Sequence, residues 1–185
     1  MKIFKYALLA IPFLYFSCSD DDDNDNVPEP INEEEVITTM TVTLTPESGD
    51  VVVLQTRDLD GEDGEDPDVN VSGPLQTGMF YYGSIQWLNE MEDEPEDITL
   101  EIIEEADEHQ VFFDVSDGLD MIITYTDVDS NNYPVGTQFG LNSGPAGSGS
   151  LTITLIHEPD KPNDGTVESA GGSIDIQTTF ALVVE

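Results

Sequence analysis

The segment Val36-Ile37-Thr38-Thr39-Met40-Thr41-Val42-Thr43-Leu44-Thr45 decides the fold. Met40, Val42 and Leu44 alternate with threonines at the two-residue period of a strand that has one face in a core and the other in water, and Pro46 ends it. Glu47-Ser48-Gly49-Asp50 has turn composition and Val51 to Arg57 is strand-like again, so the two segments predict a hairpin. Gly78 to Leu88 carries Phe80, Tyr82, Ile85 and Trp87 and predicts a third strand, bent or bulged at Gly83.

Further along, Ile98, Ile102 and Ala106 recur every four residues between Pro95 and His109, which predicts a helix of about three turns packing its isoleucine face on a sheet. Gln110 to Val115 and Leu119 to Tyr125 flank Ser116-Asp117-Gly118, whose Asp-Gly pair predicts a second hairpin. Residues 135–141, 150–157 and 172–185 complete a set of short strands separated by turns. The expected fold is mainly β: an immunoglobulin-like two-sheet sandwich with one short helix, a jelly roll or small barrel being the alternative. Residues 33–185 suffice for one such domain and one core.

Working back from the first strand, Ser19-Asp20-Asp21-Asp22-Asp23-Asn24-Asp25-Asn26 has like charges and nothing apolar to bury, so residues 18–32 are expected to form an acidic tether. Residues 1–17 place Lys2 and Lys5 before an apolar run from Tyr6 to Phe16 that stops at Ser17-Cys18. That run is shorter than the roughly twenty residues a bilayer-spanning helix needs, and it has the layout of a signal peptide. Cys18 is the single cysteine, so it has no internal disulfide partner, and lipid attachment at this residue accounts for an exported thiol. An ordinary secretory signal with an incidental cysteine is the competing account.

After Cys18 the chain keeps all 40 acidic residues but only Arg57 and Lys161 as bases, a formal charge of −38. Such a chain repels nucleic acid and bare anionic lipid, and it attracts cations or basic or neutral protein and glycan surfaces.

Four constellations could carry a ligand. Asp58, Asp60 and Glu62 stand at alternate positions near glycines, and Asp127, Asp129 and Asn131 repeat that spacing before Asn132, a residue that tolerates a left-handed turn. Alternate oxygens in a tight turn converge on a hard cation, so calcium is the candidate cofactor. Val69 and Gln138 occupy the twelfth positions where a complete calcium loop has glutamate, and solvated acidic turns are the simpler account. His109 and His157 are the only histidines, beside Glu108 and Glu158 respectively. Were the fold to bring the two together they could bind zinc with a carboxylate as third ligand; as separate residues they would cap or pack. Trp87, Tyr81, Tyr82 and Tyr133 could stack on sugar rings or belong to the core.

No cysteine nucleophile other than Cys18, no Gly-x-Ser-x-Gly elbow and no glycine-rich phosphate loop beside a lysine is present, so no catalytic residue is assigned and the chain is expected not to be an enzyme.

Glu33-Glu34-Glu35-Val36-Ile37-Thr38-Thr39, Arg57-Asp58-Leu59-Asp60-Gly61, Glu108-His109-Gln110-Val111-Phe112 and His157-Glu158-Pro159-Asp160-Lys161-Pro162-Asn163 together resemble an uncharacterised surface lipoprotein family of flavobacteria and relatives. Its members often carry the label of the type 1 periplasmic-binding fold. That fold alternates strands and helices over two domains, whereas one helix is expected here. The resemblance implies a lipid-anchored outer-membrane protein facing the cell exterior. Asp20 to Asp23, just after Cys18-Ser19, likewise resemble the acidic export signal of such lipoproteins. The resemblance implies no catalytic residues. The expected function is binding, as a cation- or ligand-binding accessory to an outer-membrane receptor, with a glycan- or protein-binding adhesion module as the alternative.

Overall fold

The computed structural model describes residues 35–61, 64–91 and 94–185, all within one compact unit. The expected signal peptide, Cys18, Ser19, Asp20 to Asp23, the rest of the tether and Glu62 lie outside the described residues.

The chain forms two antiparallel sheets packed as a sandwich, not a closed barrel. The first sheet contains β1 (Thr39–Pro46), β2 (Val52–Arg57), β3 (Asp68–Val71), β4 (Phe80–Asn89), β7 (Met121–Tyr125) and β8 (Gln138–Ser143). Their order is β3-β2-β1-β4-β8-β7, with the short β5 (Glu96–Asp97) paired to β4. The second sheet is β10 (Ser173–Val184), β9 (Gly147–His157) and β6 (His109–Val115), in that order.

The alternation in the opening segment is used as expected. Met40, Val42 and Leu44 are fully buried, and β1 pairs with β2 as a hairpin from Thr39–Arg57 to Leu44–Val52. Their partners across the core include Leu151, Ile153 and Leu155 of β9 and Phe180, Leu182 and Val184 of β10. These two strands are 11 and 12 residues long, and β10 alternates buried and exposed residues from Gln177 to Val184.

Four local expectations change. The helix, α1, is shorter than three turns, at Ile98–Glu104. Asp97 caps its start by accepting from the Thr99 amide, and Ile98 and Ile102 face the core. Its last turn has no basic residue, and the carboxylates of 104, 105, 107 and 108 oppose the helix dipole there. The chain therefore leaves the helix early and His109 opens β6. Asp117-Gly118 is not a hairpin: β6 pairs with β9 and β7 with β8, so this turn carries the chain from one sheet to the other. Neither residue has the positive φ that a two-residue hairpin turn requires; the Leu119 amide donates to the Ser116 carbonyl and Leu119 drops into the core. β3 and β5 have no counterpart among the expected strands, because one is largely exposed and the other is two residues long.

The fourth concerns Gly83. β4 runs in unbroken register with β1 from Leu88–Thr39 to Tyr81–Pro46, without a bulge. Glycine is needed there because the ring of Phe139, on β8, occupies the space a side chain would take; a Cβ would lie 2.4 Å from that ring. Phe139 is itself fully enclosed and has no room to retreat. Gly83→Ala is expected to destabilise the domain by about 1–3 kcal/mol, as overpacking does. Gly73→Ala, at a position where an added methyl would meet nothing within 4 Å, should change stability by less than about 0.5 kcal/mol. Urea denaturation of both variants checks the pair, and equal midpoints would refute the account of Gly83.

Candidate metal centre

The core ladder of the second sheet ends in a polar rung. β6 and β9 pair as Phe113–Ile153, Val111–Leu155 and His109–His157, so both histidines fall on inward positions of the two-residue period. Their rings stack with centroids 4.7 Å apart and planes 28° from parallel, and both are buried. The fold thus brings together the two histidines that the sequence separates by 48 positions.

β10 completes the end of the sheet. It pairs Ile174 with Ile156 and Ile176 with Leu155, which leaves Asp175 as the extra residue of a bulge. The bulge reverses the usual exposure: Ile174 is half exposed, while the Asp175 side chain has 0%. Gly171 and Gly172, both with positive φ, bring the backbone into β10; a Cβ on Gly172 would lie 2.2 Å from the His157 carbonyl oxygen. Glu158, next to His157, holds a positive φ of 52°, uncommon for a residue with a side chain.

The fourth group comes from the segment that leads into the other sheet. The Glu35 side chain is 4% exposed, with Oε1 2.9 Å from His109 Nε2 and Oε2 3.3 Å from His157 Nδ1. Asp175 Oδ1 lies 3.9 Å from the same His157 nitrogen. One ligand atom from each of Glu35, His109, His157 and Asp175 falls within 4.8 Å of every other.

The hydrogen-bond geometry constrains the charges. His109 Nδ1 is 3.1 Å from the Glu105 carbonyl oxygen, which can only accept, so this nitrogen is the donor. On a neutral ring, Nε2 then presents a lone pair to Glu35 Oε1, and two lone pairs at 2.9 Å require a positive charge between them, a proton or a metal ion. Glu35 Oε2 is buried and accepts no hydrogen bond among the described residues.

A brace holds the start of β6. The Lys161 ammonium donates to the carbonyls of His109 (2.7 Å) and Ala106 (2.8 Å) and to Asp129 Oδ2 (3.1 Å). Asp129 Oδ1 accepts from the amides of Asn131 and Tyr133. Burial alone would raise the Asp129 carboxyl, but the Tyr133 amide, Lys161 and the Asn131 amide outweigh it and hold the group below its ordinary value.

The two acidic loops are occupied by their own backbone. Asp127 accepts from the Gly136 and Gln138 amides and the Thr137 hydroxyl; with Asp129 on Lys161, the carboxylates of this loop act as turn fasteners. Asn132 has φ 67°, the left-handed turn its side chain tolerates. Asp58 accepts from the amides of Asp60 and Gly61, and Asp60 from that of Glu65. Among the described residues, the carboxylates of neither loop join a cluster of three. Of the aromatic residues, Trp87 and Tyr81 are buried in the core, Tyr133 is half-buried in its loop, and Tyr82 is exposed.

Sequence reasoning found both histidines but not the two carboxylates that meet them. Glu108 and Glu158, the sequence neighbours, form a second group with His157 on the exposed side. No known family model, curated protein or solved structure matches this chain.

The brace yields a pH signature. A carboxyl whose folded value is depressed contributes stability that is present above its unfolded value, about 3.9 for aspartate, and lost as pH falls through the folded value. Asp129→Asn strands the Lys161 charge and is expected to cost on the order of 3 kcal/mol at pH 7. The gap from wild type should close as pH drops below about 4, because wild type then loses the same interaction. Denaturation midpoints of both proteins between pH 3 and 7 test this, and a gap independent of pH would rule out the ion pair as its source.

Proposed function

We propose that this chain is an exported binding protein, anchored through a lipid on Cys18 to the outer membrane and facing the cell exterior. Its acidic sandwich captures a cationic ligand, as an accessory to an outer-membrane uptake receptor, rather than transforming a substrate. The observation that carries the proposal is the disposition of charge. Of the two basic residues after Cys18, Lys161 is enclosed by Asp129 and two carbonyls, and Arg57 is spent on Glu90, with Nε donating to Oε2 at 2.5 Å. That contact and the Thr39 hydroxyl hold the Glu90 carboxyl below its ordinary value. Neither base is left to balance the remaining carboxylates, so the domain offers a field that concentrates cations.

The apolar run ending at Cys18, the tether behind it and the resemblance to surface lipoproteins support the anchor and the outward orientation. The adhesion alternative rests on less. Of its aromatic platform, Trp87 and Tyr81 serve the core, which leaves the half-buried Tyr133 and the exposed Tyr82, with Phe80 edge-on to Tyr82 at 4.9 Å.

Cys18→Ala is expected to prevent lipid labelling and move the protein to the soluble fraction; a variant that stayed with the membrane would show that something else holds it. Replacing Asp20, Asp21, Asp22 and Asp23 with asparagine should leave lipidation intact and abolish digestion by protease added to whole cells. Unchanged digestion would remove the export role of that run.

A further inference from the structure

We propose that Glu35, His109, His157 and Asp175 form a four-coordinate site for a first-row divalent metal ion of the zinc class, and that Glu35 is its clasp. The proposal rests on cation capture by the sandwich and names the ion and its ligands. It is tested without reference to the anchor.

Geometry is the first argument. A tetrahedral zinc ion with ligands at about 2.0–2.1 Å keeps them roughly 3.3 Å apart. The contacts of 2.9, 3.3 and 3.9 Å among these side chains bracket that spacing. Small rotations of side chains already facing one another suffice.

Charge is the second. Two carboxylates with two neutral imidazoles carry −2, which one divalent ion cancels. Protons shared between the histidines and Glu35 would also compensate, but a single ion would meet all four side chains at once. Nitrogen ligands select among cations: imidazole suits zinc, copper, nickel and iron, whereas calcium seeks six to eight oxygens and finds two side chains with oxygen here.

The surroundings have the features of a metal site's outer shell. His109 donates its other nitrogen to the Glu105 carbonyl, which fixes the tautomer and aims Nε2 inward. Lys161 fixes the His109 carbonyl, the β10 bulge turns Asp175 in, and the left-handed backbone at Glu158, Gly171 and Gly172 shapes the turns around His157. Of these positions Glu158 alone carries strain, because a glycine adopts a positive φ freely.

Three ligands belong to adjacent strands of one sheet. Glu35 alone arrives from outside it, four residues before β1 of the other sheet. An ion bound by all four would tie the two sheets at this end, and withdrawal of Glu35 is the motion that would open the site.

The experiment strips the full chain with chelator in mild detergent and titrates it at high ionic strength, which suppresses diffuse binding to the acidic surface. Zinc, cobalt(II) and calcium are compared for wild type, His109→Gln, His157→Gln, Glu35→Gln and Asp58→Asn/Asp60→Asn. The expected result is one tightly bound zinc per chain, a tetrahedral cobalt(II) visible spectrum and a melting temperature raised by about 5–10 °C at a hundredfold excess of zinc over its dissociation constant. Each histidine variant should lose the cobalt spectrum. Glu35→Gln should weaken zinc by 10–100-fold or more while the three-strand ligands persist. The Asp58/Asp60 variant should behave as wild type. Circular dichroism identifies any variant that fails to fold, and for such a variant the wild-type cobalt spectrum and the Glu35→Gln titration decide the matter. Zinc binding unchanged in the folded site variants would overturn this site while leaving cation capture standing. Calcium bound as tightly as zinc, with no tetrahedral cobalt spectrum, would do the same. Absence of any divalent binding at high ionic strength would overturn this site, and absence at low ionic strength as well would end cation capture with it.

Discussion

Charge cannot be withdrawn from water unless opposite charge meets it, and the end of this sandwich where His109 pairs with His157 is organised around that constraint. Isolating one carboxylate in a low-dielectric interior is prohibitive, and here two point into the same space with two imidazoles. The strands bring those groups in at the end of an otherwise apolar ladder. Val111 and Leu155 form one rung and His109 and His157 the next, so the transition from hydrophobic core to polar centre occurs within one two-residue step. Beside it, a second buried charge is handled differently: Lys161 is met by a carboxylate and two carbonyls supplied by the chain itself.

The sandwich is legible in the sequence because its strands obey the two-residue period over long stretches. Met40, Val42 and Leu44 betray β1, and the inward residues of β9 betray that strand. Where the reading fails, tertiary structure overrides local chemistry. Asp117-Gly118 has the composition of a hairpin, but Leu119 drops into the core and the chain changes sheets. Gly83 has the look of a bulge and is a socket for the Phe139 ring. The helix is the exception, stopped by local chemistry, because its C-terminal carboxylates face the wrong end of its dipole.

Half of the candidate centre is visible in the sequence. The histidines continue the inward parity of their strands, His109 with Val111 and His157 with Leu155 and Ile153, and that parity is the available signal. Asp175 gives none, because an Ile-Asp-Ile run reads as apolar inward and acid outward until a bulge reverses it. Glu35 is one of three consecutive glutamates, and nothing in their order singles it out. The calcium-like spacing is legible too, but Asp58, Asp60 and Asp127 spend oxygens on backbone amides, the ordinary occupation of aspartate in turns.

The four cluster residues are distributed from Glu35 to Asp175, nearly the full length of the domain. The first of them emerges early in synthesis and the last only with β10. No growing chain that stops short of β10 can assemble the set, and contacts of such long sequence separation form late because loop closure must precede them. The centre therefore acts as a completion mark: an incomplete or truncated chain presents scattered histidines and acids, and only a finished one presents a pocket of defined charge. If the centre holds a cation as proposed, selectivity for it is postponed until the polypeptide has been made, and a cell that moved the chain across a membrane before it folded would decide in which compartment that choice is made.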